Sequence, residues 1–536
     1  MHYAFRYEGR MLSQKSLKLL GVLLLLAPTL ASAHTDGIWR IKKDRWSDAD
    51  EAAYSAFIAK MGESHCNTTG RCFDAPENPY RDQNPSFLKN GFSDCSRLPY
   101  MFRLYFAYMN DLPYSYESKV EARSETRDIR YSPQGNKVVA RQSVANNTPL
   151  HKAISDMMTV TSSAMYRVPP EDDVKGNLFT DFYSVALDRR SIRPGTIIYD
   201  PNGHVAMIYK IESDGRVRFM DAHPDNSITR GVYGEKFARS RPTSGAGFKN
   251  WRPIVYATNG TIMGRPNAQI ADYSLTQFYG TDRSPDGAWK KGTFSRDGVK
   301  YDYYDYVRVV LAEGNLRFEP LQEVENLLEA LCYDSRDRVA SVNEAIVAGV
   351  NNRGQPERLP YNIYGTDGDW ETYSTPSRDA RLKTSFHEAY KKVQQFLQLT
   401  AEGSQLIDYK GSVADLKRDL GGVIDNSYAS CPLSYKNSAG RDVALNLGDI
   451  QERLFDLSFD PYHCVEARWG ARGSELASCD DSSLKQAWYK AEQRLRNQME
   501  RTYENRMDFN LEELQRAVSG SGVDEAPPVD LRSLLR

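Results

Sequence analysis

The stretch RPGTIIYDPNGHVAMIYKIESDGRVRFMDAH, residues 193–223, predicts three consecutive antiparallel strands. Two turn sequences, Pro201–Gly203 and Ser213–Gly215, divide it into three runs rich in apolar residues. Asn-Gly and Asp-Gly between such runs are strong signals of a hairpin. Alternate residues of a strand share a face, which puts Asp221 and His223 on the apolar face of the third run. Polar groups on an apolar face need hydrogen-bond partners or a function.

A second stretch, GFSDCSRLPY at residues 91–100, predicts a cysteine at the start of a helix. The apolar residues that follow it recur at the steps of three and four that line one helix face: Leu98, Met101, Phe102, Tyr105, Phe106 and Met109. Unpaired backbone N–H groups and the positive end of the helix dipole would favour the thiolate of Cys95. The structural alternatives are a buried cysteine or one half of a disulfide. Asp94 is expected to cap the helix.

The N-terminus predicts a signal peptide. A basic segment precedes the apolar run Leu19–Leu30, and Ala31–Ala33 has the small-residue pattern of a cleavage site. The run is too short to favour a membrane span and contains a proline. We therefore predict cleavage after Ala33 and an exported mature protein, periplasmic or secreted, without stable insertion in the membrane.

Export makes the cysteine count informative, because paired cysteines are the rule in an oxidising compartment. The chain has seven cysteines, and six of them are disulfide candidates: Cys66, Cys72, Cys332, Cys431, Cys464 and Cys479. Pairing the first two together and the last four among themselves leaves Cys95 as a free thiol. Connectivity within the second group stays open at this point.

The three residue types that a cysteine hydrolase requires occur in chain order. A histidine takes the thiol proton, and a third polar group orients the imidazole. His204 begins the middle strand and Asp221 lies on the next one, so the two side chains can meet across adjacent strands. We predict Cys95 as the nucleophile, His204 as the base and Asp221 as the orienting residue, with His223 and Asp225 as alternatives for the third role.

These motifs resemble the NlpC-type papain-like peptidases of bacterial cell walls over about residues 91–225. The shared features are an Asp-Cys-Ser that opens a helix, a Pro-Gly pair before a strand, a Gly-His-Val strand start and a polar residue that ends the hairpin: Asp94-Cys95-Ser96, Pro194-Gly195, Gly203-His204-Val205 and Phe219-Met220-Asp221-Ala222. The family commonly has histidine at the position of Asp221 and glycine at the position of Arg97. Its separation between cysteine and histidine is also shorter.

The resemblance implies a papain-like (NlpC-like) core of the α+β class, with an antiparallel sheet and an N-terminal cysteine helix. It also implies hydrolysis of an amide or peptide bond through a thioester, with a peptide or peptidoglycan substrate and no cofactor. Transglutaminase-like proteins are a second resemblance, carried by Leu112-Pro113-Tyr114 and Phe219–Pro224, and imply amide transfer instead. A non-catalytic binding or scaffold protein on the same fold is a further alternative. His463 adjoins Cys464, but no second pair has ligand spacing, so no metal site is predicted.

With 536 residues the chain is too long for one ordinary core. Its formal net charge of −2, with both signs mixed along the chain, argues against nucleic acid as a partner. The predicted divisions are a signal peptide (1–33), an N-terminal arm with the Cys66/Cys72 loop (34–90), a papain-like thiol hydrolase domain (91–258) with an insertion at about 117–173, a linker or extended arm (259–315), a mainly α-helical C-terminal domain (316–518) and a flexible tail (519–536).

Four segments of the C-terminal domain show helical periodicity: Leu321–Val350, Arg378–Leu399, Leu447–Leu457 and Ser482–Val518. This helical domain is a candidate surface for an unidentified protein partner.

Overall fold

The computed structural model describes residues 34–256, 261–314, 316–362, 368–373, 376–500 and 505–536. The signal-peptide prediction concerns residues 1–33, which lie outside the described residues. The described chain belongs to the α+β class. A six-stranded antiparallel sheet with flanking helices forms the N-terminal part, and a mainly helical part follows.

The N-terminal part contains six α-helices and twelve strands among its described residues. The elements before the sheet are α1 (Asp48–Glu63), α2 (Thr69–Phe73), α3 (Arg97–Met109), β1 (Ser115–Ala122), β2 (Asn136–Ser143) and α4 (Leu150–Val160). The strands of the sheet are β3 (Phe182–Ser184), β4 (Ile197–Asp200), β5 (His204–Ile211), β6 (Val217–Ala222), β7 (Ile228–Val232) and β8 (Gly247–Trp251). The elements after it are β9 (Ile254–Tyr256), β10 (Ile262–Gly264), α5 (Thr276–Tyr279), β11 (Phe294–Arg296), β12 (Val299–Tyr301) and α6 (Tyr303–Leu311).

The sheet has the strand order β3-β8-β4-β5-β6-β7, and every neighbouring pair is antiparallel. The three strands predicted from residues 193–223 are confirmed as β4, β5 and β6. Gly203 and Gly215, in the turns between them, have φ angles of 86° and 81°. This left-handed region favours glycine, so both turns depend on their Gly residues.

One face of the sheet packs against α1 and α3 in a core that is rich in aromatic residues. Alternate residues of the central strands, such as Val205, Met207 and Met220, are buried there with residues of α3. The predicted cysteine helix is thus confirmed as α3. Residues 34–90, expected to form an arm, belong to the same core, because their large apolar side chains are buried in it: Trp39, Trp46, Tyr54, Phe57, Phe73 and Leu88.

The other face of the sheet is covered by residues that we predicted to be a linker. Phe294, Tyr306 and Leu311 are buried against Ile208 and Phe219. The prediction of an extended arm at 259–315 was wrong because the Gly- and Pro-rich composition hid aromatic residues spaced along short elements. These residues form the second layer of the core.

The C-terminal part contains nine α-helices and one hairpin among its described residues. They are α7 (Pro320–Val347), α8 (Gly368–Tyr373), α9 (Pro376–Ala401), α10 (Val413–Ala429), β13 (Leu433–Lys436), β14 (Asp442–Leu445), α11 (Leu447–Arg453), α12 (Val465–Arg468), α13 (Ser483–Ala491), α14 (Gln493–Asn497) and α15 (Leu511–Gln515). The first three predicted helices correspond to α7, α9 and α11, whereas α10 was missed. The long helix expected over Ser482–Val518 is instead divided, and the Asn510 side chain caps a new helix by accepting a hydrogen bond from the Glu513 N–H.

The expectation of a flexible tail at 519–536 was also wrong. Leu531 is fully buried in the helical core, and Arg532 forms an ion pair with Asp425 of α10 at 2.7 Å. The Lys417 ammonium donates a hydrogen bond to the carbonyl of Arg536 at 2.8 Å. Val529 is buried in the same core, and Leu534 and Leu535 pack against it. The polar composition of the tail hid these apolar contacts.

Six cysteines form three disulfides, Cys66–Cys72, Cys332–Cys431 and Cys464–Cys479, and Cys95 is free. Among the described residues, no helix combines the length and apolar character needed to cross a bilayer.

The three disulfides close loops of very different length, which predicts unequal effects on stability. Replacing Cys332 and Cys431 by alanine opens a loop of 99 residues, and the chain-entropy model gives a loss of about 4.7 kcal/mol for such a loop. Replacing Cys66 and Cys72 opens a loop of only 6 residues, for which the same model gives a loss of about 2 kcal/mol. Urea unfolding followed by circular dichroism measures both. An equal or larger loss for the Cys66/Cys72 variant would contradict the entropic explanation.

Candidate active site

Strands β5, β6 and β7 assemble a buried histidine–carboxylate pair. His204 is the first residue of β5, and its Nε2 lies 2.6 Å from Oδ2 of Asp221 on β6. Thr229 is directly opposite Asp221 on β7, and its hydroxyl donates a hydrogen bond of 2.5 Å to Oδ1 of the same carboxylate. His204 is 8% exposed and Asp221 5%, so both groups interact with little screening by water.

The protonation states of this pair follow from burial and neighbouring charge. Burial alone would raise the pKa of Asp221, but the hydrogen bond with His204 and the nearby His223 hold it well below its usual range. Burial and the charge of Arg381 lower the pKa of His204. At neutral pH a neutral imidazole therefore faces an ionised carboxylate. Because that carboxylate can only accept, Nε2 carries the proton, and Nδ1 has a free lone pair.

The thiol of Cys95 lies against the backbone beside this histidine. Its Sγ is 3.9 Å from the carbonyl oxygen of Gly203, the residue before His204, and the side chain is half-buried. Asp94 supports the start of α3, because its carboxylate accepts a hydrogen bond from the Arg97 N–H at 2.9 Å.

Contrary to the expectation from the helix dipole, the thiolate is not favoured. Burial, together with the charge of Asp94, raises the pKa of Cys95 to about 12. The start of α3 does not offset this effect of burial, since the helix begins at Arg97 with Ser96 as its N-cap, and Cys95 lies one residue before the cap. The thiol is therefore protonated at neutral pH.

Cys95 and His204 are neighbours, but their reactive atoms do not touch. No hydrogen bond joins Sγ to the imidazole ring in the part of the chain that the structure describes. Cys95 packs against the aromatic core shared with α3, whereas the imidazole lies 6.3 Å from the ring of Phe237, which belongs to the core on the other side of the sheet. A rotation of one or both side chains is required before Nδ1 can take the thiol proton.

Of the three candidates for the third residue, Asp221 is the one that is hydrogen-bonded to the imidazole of His204. The ring of His223 is stacked 6.1 Å from that of His204, and its Nε2 is 3.0 Å from the Thr229 hydroxyl. Burial and the charge of Arg378 lower its pKa to about 3. Asp225 accepts hydrogen bonds from the backbone and hydroxyl of Ser227, so it stabilises the turn after β6.

The segment predicted as a polar insertion, at about 117–173, supports the site directly. The Tyr166 hydroxyl donates a hydrogen bond of 2.7 Å to the carbonyl of Ser96, next to the thiol. The Arg167 guanidinium donates one of 2.7 Å to the carbonyl of Pro201 in the turn before His204. A side chain at Gly203 would come within 3.1 Å of the Tyr131 hydroxyl. Sequence reasoning missed these contacts because the segment lacks apolar periodicity.

A cavity adjoins the imidazole and is closed by the helical part of the chain. It is lined by His204 and Asp221 of the sheet and by Asp334, Asp337, Arg378 and Arg381 of α7 and α9. Its empty volume is about 490 Å³, including the part that is open to solvent. No sequence signal links residues so far apart in the chain, so this contribution of the helical domain could not be predicted.

Two other clusters of described residues have the composition of a metal site, but in one of them the two thiols, Cys464 and Cys479, are joined in a disulfide. The potential ligand atoms of Asp460, His463 and Glu492, all buried, lie within 4.8 Å of one another. The cluster already has local partners, because Gln355 donates a hydrogen bond to Asp460 and the Ser458 hydroxyl lies 2.7 Å from Nδ1 of His463. Arg496 is 3.7 Å from the Glu492 carboxylate, and this cation opposes the binding of a second positive charge.

Comparison with known proteins found no match for this chain among protein-family models, curated proteins or solved structures. The geometry of the site is therefore the basis for any assignment of function.

The raised pKa of Cys95 predicts its alkylation behaviour. We expect the rate of reaction of the native thiol with iodoacetamide to rise about tenfold per pH unit from about pH 7 to 10, because only the thiolate reacts and the pKa is about 12. In urea the rate should level off above about pH 9, near the ordinary pKa of cysteine. Asp94→Asn should accelerate the native reaction, since it removes a charge that raises this pKa. A plateau below pH 9 in the native protein would contradict the assignment. Mass spectrometry of the Cys95 peptide gives the rates.

Proposed function

We propose that the protein is an exported thiol hydrolase that cleaves an amide or peptide bond, with a papain-like catalytic core. The observation that carries the proposal is the position of Cys95, the free thiol among seven cysteines. Its sulfur lies against the start of β5, where His204 is paired with Asp221 of the next strand. A buried ionised carboxylate is costly unless it is paired. The carboxylate of Asp221 is held by hydrogen bonds with His204 and Thr229, close to the free thiol of Cys95.

The proposed reaction begins with proton transfer from Cys95 Sγ to Nδ1 of His204. The sulfur attacks the carbonyl carbon of the scissile amide, and the imidazolium then donates the proton to the leaving amine. Asp221 stabilises the imidazolium and holds the ring through Nε2. Water, deprotonated by the same imidazole, releases the acid from the thioester. The backbone N–H of Cys95 is a candidate donor to the oxyanion.

General-base activation fits the charges better than a preformed thiolate–imidazolium pair. Burial keeps the thiol protonated and the imidazole neutral in the resting site. Both groups are thus in the starting state that this reaction requires, and attack is coupled to proton transfer. The separation of Sγ from the ring means that substrate binding must also bring these atoms together.

Export and substrate class rest on the sequence. The predicted signal peptide and the three disulfides agree with an oxidising compartment outside the cytoplasm. The likeness of the motifs to NlpC-type peptidases favours a stem or cross-link peptide of peptidoglycan as the substrate.

A non-catalytic binding role is the second candidate. The observations that favour it are the high pKa of the thiol and the missing hydrogen bond between Cys95 and His204 among the described residues. In that case the His204–Asp221 pair would bind a ligand without turnover. Amide transfer is a third outcome that the same residues allow.

The proposal predicts cleavage of peptidoglycan peptides that depends on each member of the triad. We expect Cys95→Ala and His204→Ala to abolish the release of amines from purified sacculi, and Asp221→Asn to lower the rate by about a hundredfold or more, because the ring loses its orienting acceptor. Asp225→Asn is the matched control, since Asp225 accepts hydrogen bonds from Ser227 and, among the described residues, forms none with the imidazole of His204. Chromatography with mass spectrometry identifies the products.

Trapping of the intermediate separates the candidate functions. An acylated Cys95 in the intact mass of the protein supports the hydrolase, and a product joined to an added amine supports transfer. Full activity in Cys95→Ala, or no cleavage and no acylated species with sacculi, would reject thiol catalysis on this substrate class.

A further inference from the structure

Arg381 is a cation of the helical domain that faces the cavity beside His204. It lies in the second turn of α9, three residues after Arg378, so both arginines lie on the same side of the helix. The acid between them, Asp379, forms an ion pair with Arg338 at 2.7 Å instead. In the part of the chain that the structure describes, no carboxylate lies within ion-pair distance of Arg381.

The other three cations of the cavity have partners, and the Arg378 guanidinium donates a hydrogen bond to the Ser341 hydroxyl. The Lys236 ammonium lies 3.1 Å from the Asp334 carboxylate. Arg230 donates hydrogen bonds to the backbone carbonyls of Gly62 and Cys66 at 2.6 and 2.9 Å. These contacts position all three side chains without involving Arg381.

The acids of the cavity leave the charge of Arg381 uncompensated. Asp221 is engaged by His204 and Thr229. Burial and the charge of Asp334 raise the pKa of Asp337 to about 7, so its carboxyl group is partly neutral at physiological pH. The half-buried guanidinium of Arg381 therefore faces the cavity beside His204 without a carboxylate partner and is available to the anionic group of a ligand.

We infer that Arg381 binds a carboxylate of the substrate, so that the enzyme acts on peptides with an acidic group close to the scissile amide. This inference rests on the proposed hydrolase function and specifies its substrate class. A guanidinium can hold a carboxylate through two parallel hydrogen bonds, which gives orientation as well as affinity. The helical domain thereby contributes a specificity residue to a site whose reactive groups lie on the N-terminal part.

Carboxylate binding at this position would also make His204 a stronger base. The charge of Arg381 is one cause of the lowered pKa of His204. An anion that neutralises this charge raises the proton affinity of the imidazole at the moment when the substrate is bound. A substrate without the carboxylate would leave His204 a weaker base.

Binding is tested separately from catalysis with the inactive Cys95→Ala protein. The probes are N-acetylglycylglycine, which has a free carboxylate, and its C-terminal amide, and isothermal titration calorimetry gives their affinities. We expect the acid to bind roughly ten- to a hundredfold more tightly than the amide, as is usual for a hydrogen-bonded charged pair. Adding Arg381→Gln should remove this preference, whereas Arg381→Lys should retain part of it.

Lys236→Gln is the matched control, because it removes a cavity cation that is already paired with Asp334. The preference for the acid should persist in this variant. Circular dichroism melting curves establish that each variant is folded. Equal binding of acid and amide, an unchanged preference in Arg381→Gln, or no binding of either probe at millimolar concentration would overturn the inference.

Activity assays distinguish failure of this inference from failure of the proposed function. Cleavage that depends on Cys95 but proceeds equally well with acid and amide substrates would retain the hydrolase and reject the role of Arg381. Binding that prefers the carboxylate, without any cleavage, would retain the anion site and reject the hydrolase. If both hold, Arg381→Gln lowers kcat/KM for the acid substrate and leaves that for the amide nearly unchanged.

Discussion

The hydrogen bond between His204 and Asp221 imposes the strictest requirement on this structure. It holds an ionised carboxylate in a site that is more than nine-tenths buried, where an unpaired charge would cost several kcal/mol. The pairing of β6 with β7 supplies the second partner, because Thr229 lies directly opposite Asp221. A register shift of one residue would turn Asp221 to the other face of the sheet and leave its charge unpaired. The pair therefore depends on the sheet, and the register of the sheet is in turn favoured by the pair.

Three distant parts of the chain converge on this pair. The segment that contains Tyr166 and Arg167 supports the thiol on one side and the turn before His204 on the other. The helices α7 and α9 close the cavity and bring Arg381 near the imidazole. The residues after the sheet cover its second face, where Phe219 packs. The site is thus assembled across a chain that sequence patterns divide into separate domains.

The elements that could be predicted from the sequence are those that local residue patterns determine. Turn glycines and alternating apolar residues located β4, β5 and β6, and a period of three to four located α3. Chain order and strand adjacency were enough to propose that His204 and Asp221 meet. The protonation state of Cys95 could not be predicted, because burial depends on how α3 packs against the sheet and not on the residues around Asp94. Arg381 was missed for a similar reason, since its position beside the site follows from the docking of two helices more than a hundred residues further along the chain.

The charges of the resting site explain why its reactive atoms can remain apart. Burial raises the pKa of Cys95 to about 12 and lowers that of His204 below its ordinary value, so transfer of the proton from sulfur to imidazole is strongly uphill in the resting site. An ion pair would therefore not form before the substrate arrives. The charge of Arg381 is second only to burial in lowering the pKa of His204, whereas burial, Asp94 and Asp221 all outweigh it at Cys95. We therefore expect neutralisation of Arg381 to raise the pKa of the imidazole more than that of the thiol. An anionic substrate would reduce the difference between the pKa values of Cys95 and His204. The thiol would then become more reactive when such a substrate is bound.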